Sequence, residues 1–379
     1  LTARTGLAPG AAARHGPAGG DGEQQRARAL SLRLFLAMLH TQELLSGYLG
    51  VRLGLYEALH RGPATVADLC ARAGIDARYA REWLEQQAVA GFIEVDDVAA
   101  PPDRRVYRLP PGHAEVLLAS DSPLSLVSLT MLPLGGVAGA LPALLEAYRT
   151  GAGVPDEAYG DDWREGHAGA NRALFTHALP GWLATALPEI HGRLAGGPSR
   201  IADVGCGAGW AAIALARAYP HARVDGYDLD AATLAAATAN AEAAGVADQV
   251  RFHRRDAADP ELAGRYDLVC VFDALHEMSQ PVPVLRACRR LRADGGAVLV
   301  LDAKVAHRFV APGDEIERFQ YATSVLHCLP ACLAGPDSAG TGTALRPAMV
   351  RAFATEAGFA DVQIVPVDDR FHRLYHLTG

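Results

Sequence analysis

From Arg26 onward, apolar residues recur three and four positions apart through RLFLAMLHTQELLSGYLGVRLGLYEALH, the spacing of one helical face. Thr65 is placed to cap a short helix, VADLCARA, which Gly74 can end, and Asp76 to cap a second, ARYAREWLEQQAVA, closing at Gly91. Two apolar segments, FIEV and VYRL, flank a polar turn and predict a β-hairpin. Glu146–Pro188 reads as helical again, linked by the Gly-rich turn TGAGVPDEAYGDD. From Arg200 strand and helix patterns alternate. Strands are expected at Arg200–Val204, Arg223–Tyr227, Val250–His253, Leu268–Phe272 and Ala297–Leu301, with helices at Trp210–Tyr219, Ala231–Ala244 and Val282–Arg292. After a long insertion, Arg346–Ala357 reads as a helix, and VQIVPV and FHRLYHL as two closing strands. This alternation predicts an α/β fold built on a doubly wound, Rossmann-like sheet, preceded by a mainly helical domain.

The N-terminal order of three helices and a hairpin describes a winged helix, which raises DNA as a ligand. Charge argues otherwise. Residues 61–108 hold seven Arg against eight Asp or Glu, and the second helix sets Arg78 and Arg81 against Glu82 and Glu85. Phosphate binding needs clustered unpaired cations, so a packing module used for dimerisation is the expectation. The run Ser122–Leu145 carries no charge and is long enough for a bilayer, but Pro133, Gly135, Gly136 and Pro142 interrupt it and no basic flank anchors it. Buried helices lining a pocket or subunit interface are expected there. The expected organisation is a disordered tail at 1–25, rich in Ala, Gly and Pro; a winged-helix dimerisation domain at 26–112; a helical linker and pocket lid at 113–190; and the sheet domain at 191–379.

The chain has 379 residues, half of them hydrophobic, and a formal charge of −8, which disfavours a nucleic-acid partner. Six scattered cysteines, Cys70, Cys206, Cys270, Cys288, Cys328 and Cys332, fit a reducing cytoplasm rather than a disulfide framework. Cys328 and Cys332 are close, but HCLPAC lacks the paired spacing of a zinc site, so no metal is expected.

The chemistry concentrates in IADVGCGAGWAAIALARAYPHARVDGYDLD, residues 201–230. Gly205, Gly207 and Gly209 fall where the first strand turns into a helix, and Asp228 stands at the end of the next strand, suited to two ribose hydroxyls. That much fits a redox dinucleotide equally well. Two details point elsewhere: the glycines run GxGxG directly after Asp203, and RFHRRDAAD places Asp256 and Ala257 after the third strand, where an acid can accept from an adenine amino group. These residues resemble the class I S-adenosylmethionine-dependent methyltransferases. The resemblance implies S-adenosylmethionine as cofactor, released as S-adenosylhomocysteine. It places Asp203, Gly205, Gly207, Asp228, Leu229, Asp256, Ala257, Phe272, Asp273 and Tyr159 at the cofactor.

The full layout is similar to small-molecule O-methyltransferases with an N-terminal winged-helix dimerisation domain. In that family an Asp opens the fourth strand and a His nine positions later acts as base; here Asp267 is followed by His276. Asp302, ending the fifth strand, corresponds to the acid flanking that His. The sequence departs from the family at Phe272, where lysine is frequent, and at Thr343 and Ala344, where a second acid is found. Methyl transfer from a sulfonium is an in-line displacement that depends on alignment, and a base matters when the acceptor is a hydroxyl. His276 and Asp302 are therefore the expected catalytic pair, with His327, Tyr321, Asn171 and Met131 at the substrate. The expected reaction is methyl transfer to a small, partly apolar molecule by a cytoplasmic homodimer, oxygen being the first acceptor and nitrogen or carbon the alternatives. The alternatives to methylation are a non-methylating reaction with the same cofactor (cyclisation, decarboxylation or hydroxylation), a ligand-sensing winged-helix regulator, and a dehydrogenase.

Overall fold

The computed structural model describes residues 20–379; most of the expected tail at 1–25 lies outside the described residues. Helix α1 (Gly20–Arg52) begins earlier than the pattern from Arg26 indicated. It is followed by α2 (Leu55–His60), α3 (Val66–Ala73) and α4 (Ala77–Val89). The caps fall where expected. Thr65 and Asp68 form a reciprocal capping box, Gly74 closes α3 in the left-handed region at φ +69°, and Asp76 accepts from the N–H groups of Arg78 and Tyr79. The wing is short: β1 (Glu94–Val95) pairs antiparallel with β2 (Tyr107–Arg108), and Tyr107 also bridges Ala64. Tyr56, Leu69, Trp83 and Leu84 fill this domain's core. Arg78 pairs with Glu82, Arg81 and Arg105 with Glu85, and Arg108 with Asp96, so the arginines that would meet phosphate are already neutralised.

The uncharged run at 122–145 departs from expectation. Its prolines and glycines do not split it. Val127–Met131, a π-helical turn at Leu132–Val137 and Ala138–Thr150 follow without a break, the wider turn absorbing Pro133 and the glycine pair. Only one side is buried. Met131, Val137, Ala140 and Leu144 pack inward, while Leu124, Leu126, Leu141 and Leu145 stay exposed on the single chain. Among the described residues no helix is long and apolar enough to cross a membrane.

The sheet holds β3 (Ser199–Val204), β4 (Ala222–Asp228), β5 (Val250–Arg254), β6 (Tyr266–Phe272), β7 (Arg292–Ala303), β8 (Asp361–Val365) and β9 (His372–Thr378). Their order is β5-β4-β3-β6-β7-β9-β8. The first five run parallel, and β9 inserts antiparallel between β7 and β8. Helices cover both faces, which is why YDLVCVF reads as one apolar run rather than an alternation. Ile201, Leu215, Leu268 and Leu299 belong to one core, Val204, Val269, Leu285 and Val300 to the other. The strand order reverses direction between β3 and β6, and the carboxyl ends of such neighbours open a crevice. That crevice locates the site.

Candidate active site

The turn from β3 to the helix Trp210–Ala218 is built by glycines whose φ angles are +73° (Gly205), +51° (Gly207) and +79° (Gly209). Two of the three also lack room for a side chain. A Cβ on Gly205 would stand 2.8 Å from Met278 Cε and 2.9 Å from Ala274 Cβ, so the loop after β6 presses directly on this turn. A Cβ on Gly209 would meet Phe252 at 2.6 Å, whereas one on Gly207 would point into open space. Asp228, ending β4, fixes the turn by accepting the Gly207 N–H at 2.9 Å. Asp203 ends buried beneath it; desolvation raises its carboxyl to about 7, and Oδ2 has no hydrogen-bond partner. Asp256 is exposed after β5 and accepts from the Ala258 N–H, Ala257 beside it is half-buried, and Leu229 is exposed. Three acids from three neighbouring strands thus face one edge of the sheet.

The loop after β6 carries the second group. Phe272 is buried and stacks on Phe175, while Asp273 adopts φ +52° and donates its N–H to the Leu301 carbonyl at 2.7 Å. Asn171 donates to the Asp273 carboxylate, and His372 of β9 lies 3.7 Å from it. Burial alone would lower the His372 imidazole, but Asp273 and Asp369 hold it up at about 10. Asp273 is therefore pinned from the helical region and from the sheet, which fixes the start of the loop that ends at His276.

His276 is buried, and its Nδ1 lies 2.9 Å from Asp302 Oδ1. Against the desolvation that would lower it, Asp302 raises the imidazole well above its usual range. Nε2 faces Glu277, whose Oε1 is 3.5 Å away. His327, also buried, sets Nδ1 3.3 Å from the same oxygen and Nε2 2.9 Å from Asp156. Burial would lower this second imidazole too, but Glu277 raises it to about 11. Cys328 adjoins both rings, its thiol pushed up by burial. Trp163 lies over His327 with ring centroids 4.0 Å apart.

The expected residues do not all gather. His276, Asp302 and His327 share one cluster, and Asn171 reaches it through Asp273. Met131 is buried against the helix Gly160–Ala170, where a Cβ on Gly166 would meet it at 2.8 Å. Tyr159 and Tyr321 make contacts that the sequence did not specify. Tyr159, expected at the cofactor, donates its hydroxyl to the Leu326 carbonyl and packs its ring on His327. Tyr321, expected at the substrate, accepts from Arg346 and lines an open groove of about 730 Å³ with Arg33 of α1 and Phe319. A helix turn directs Tyr321 and His327 to different neighbours. Glu277, Asp156 and His372 were not anticipated; of these only Glu277, adjacent to His276, carried a signal in the sequence. At the position lacking the family's second acid, Thr343 donates to the Gln320 carbonyl.

Known proteins share both halves of this architecture. Residues 201–296 match the methyltransferase domain, and residues 44–119 match the Rv2258c-like winged helix-turn-helix domain. The chain therefore carries a winged helix-turn-helix domain at 44–119 followed by a methyltransferase domain at 201–296. The ubiquinone biosynthesis O-methyltransferase of Pseudomonas aeruginosa (strain UCBPP-PA14) is 35% identical over 101 residues, which cover 27% of this chain and 43% of the relative. The chain spans less than half the length of the first curated relatives it matches. Among solved structures, human N-acetylserotonin methyltransferase in complex with S-adenosylmethionine is similar with a TM-score of 0.69 at 18% identity, covering 92% of this chain and 98% of its own. The mitomycin 7-O-methyltransferase MmcR is similar at 0.68 and 20%, covering 93% and 99%. At such identities the likeness is one of fold.

Proposed function

We propose that this protein transfers a methyl group from S-adenosylmethionine to a hydroxyl of a small, partly apolar molecule. The observation that carries the reading is the contact of the His276 loop with the glycine turn: Ala274 and Met278 abut Gly205, on either side of the histidine. A donor held at the turn and an acceptor held at His276 are then neighbours, and alignment is what this displacement chiefly requires.

The residues suit the cofactor. Asp203 offers a buried, unpartnered carboxylate oxygen to a positive charge, and the open side of Gly207 leaves room for close approach. Asp228 would hold the ribose, with Leu229 beside it, and Asp256 with Ala257 the adenine; Gly205, Phe272 and Asp273 would complete the wall. When bound, the cofactor supplies an activated methyl group on a sulfonium. Asp302 holds His276 by Nδ1, which leaves Nε2 to take the acceptor's proton. That role calls for Nε2 to be free of its own proton at the moment of transfer. Met131, Asn171 and His327 would surround the acceptor, with Tyr159 and Trp163 closing over His327.

The same proposal divides the chain into a winged-helix unit at 26–112, a helical connector and lid at 113–190 and the cofactor unit at 191–379. It also makes the protein a homodimer: Leu30, Leu34, Phe35 and Met38 on α1 are each more than half exposed, an apolar face suited to a second copy. Six free thiols suit the cytoplasm. The deciding experiment incubates the protein with methyl-labelled cofactor and a panel of hydroxylated aromatic and polyketide-like compounds. Labelled product together with S-adenosylhomocysteine supports the reading. Product formed without loss of the cofactor's methyl group replaces it with a non-methylating reaction.

A further inference from the structure

The cluster behind the proposed base holds more donor atoms than methyl transfer uses. A ring nitrogen of His276, a carboxylate oxygen of Glu277 and the Sγ of Cys328 all lie within 4.8 Å of one another. Nδ1 of His327 approaches the same Glu277 oxygen at 3.3 Å. Although buried, neither that oxygen nor His327 Nδ1 makes an aligned hydrogen bond. The other nitrogen of each ring is held by a carboxylate at 2.9 Å: His276 Nδ1 by Asp302, His327 Nε2 by Asp156. A carboxylate behind each imidazole is the outer-shell arrangement that orients histidines toward a metal.

We propose that His276, Glu277, His327 and Cys328 form a binding site for one zinc-like divalent cation. His276, Glu277 and Cys328 supply an imidazole, a carboxylate and a thiolate to one ion, and His327, whose Nδ1 lies 3.3 Å from Glu277 Oε1, completes on a small movement of its ring the four-coordinate, borderline-soft set that zinc takes. Coordination takes place on neutral imidazoles and a thiolate, so loading the site releases protons. The ion occupies Nε2 of His276, the atom proposed to receive the acceptor's proton, so zinc switches the transferase off and a chelator restores it. This consequence rests on the methyl-transfer reading; the binding itself does not.

The test uses the full chain after stripping with a chelator. Zinc is titrated against a chromophoric chelator, and cobalt is titrated as a spectroscopic probe. One ion per chain is expected, with tetrahedral cobalt bands and a thiolate charge-transfer band. Cys328→Ser should abolish the charge-transfer band and weaken binding at least about tenfold, and His327→Gln should weaken binding similarly. Cys332→Ser should change neither, since that thiol faces Ser338 and Thr341. Absence of binding by the wild-type chain overturns the proposal even if a variant fails to fold, as does a charge-transfer band that survives Cys328→Ser or vanishes with Cys332→Ser. Calorimetry with S-adenosylhomocysteine on the same preparation separates the two readings: cofactor heat without zinc binding sinks the metal site alone, and zinc binding without cofactor heat sinks the transferase alone.

Discussion

Nδ1 of His276 lies 2.9 Å from Oδ1 of Asp302, and the other oxygen of that carboxylate lies 3.2 Å from the His276 backbone N–H. One acid at the end of β7 therefore fixes both the ring and the backbone of a residue on the loop after β6. In the proposed reaction, donation from Nδ1 would leave Nε2 as the working nitrogen.

Asp302→Asn keeps the shape of this contact and removes its charge. The expected result is a fall in kcat for a hydroxyl acceptor of about 100-fold or more, with the KM for the methyl donor little changed. Asp302→Ala instead leaves a buried imidazole without its partner, a loss of roughly 3–5 kcal/mol that thermal melting will register. Unchanged kcat in a folded Asp302→Asn variant would remove His276 from the base role.

Asp203 makes stability depend on pH. Its carboxyl titrates near 3.8 when unfolded and at about 7 in the folded chain, because burial disfavours the charge. The folded state thus holds a proton that the unfolded state has released between these values. Its contribution is full below about pH 4 and disappears as the pH rises to about 7, on the order of 4 kcal/mol in all. Asp203→Asn should flatten that slope in melting curves. A cationic ligand beside the carboxyl should expel the same proton, so cofactor binding near pH 6 should give heats that depend on the buffer's ionisation enthalpy. Buffer-independent heats would place the ligand's charge elsewhere.

Gly207 and Gly209 should fail in different ways when changed to Ala. Both have left-handed φ angles, +51° and +79°, each costing a residue with a Cβ about 1–2 kcal/mol. At Gly207 the methyl meets nothing, so the chain should fold and lose S-adenosylhomocysteine affinity by about tenfold or more, through obstruction of the close backbone approach. At Gly209 it runs into Phe252, so the melting temperature should drop first. Comparing melting with calorimetry for the two variants checks this, and the reverse pattern would mean that the ligand does not approach Gly207.

The sheet was legible because strands buried on both faces leave uninterrupted apolar runs, of which VLVL in β7 is an example, and because caps such as Thr65 and Asp76 act locally. The acid–His–acid spacing of Asp267, His276 and Asp302 was legible through resemblance. What was not legible depends on facing. An uncharged run does not reveal that only one side of 127–150 would be covered, nor that a π-helical turn would accommodate Pro133. The approach of Glu277 to His327 joins two distant segments across the sheet's edge, and no local pattern encodes it. Tyr321 was assigned by proximity to His327 in sequence, and no local pattern foretells that its hydroxyl meets Arg346.

His372 should give the chain an alkaline weakness. Its proton is held by Asp273 and Asp369, so the folded state keeps it up to about pH 10 while the unfolded chain releases it near 6.5. The associated stability is complete below about pH 6.5 and is lost as the pH climbs through 10. Denaturant titrations across that interval should show a decline in the wild type and a flatter course in His372→Gln, which starts lower. Equal slopes would show that the Asp273 contact does not govern the loop's anchorage.

The exposed face of α1 supplies the last prediction. Leu30, Leu34, Phe35 and Met38 stand more than half exposed on a helix of 33 residues, beside a groove lined by Arg33 and Phe319. Isolated apolar side chains are ordinary on a surface, but a continuous row of this length is a site of association. A second copy laying its own α1 on this face would bury both rows symmetrically, as two-fold dimers do. Light scattering should therefore report about 80 kDa rather than the single-chain 39.9 kDa. Replacing Leu34 and Phe35 together by Glu should return the single-chain mass without unfolding the sheet domain, because neither side chain belongs to its core. A wild-type protein that stays monomeric at high concentration would leave this face without the proposed partner.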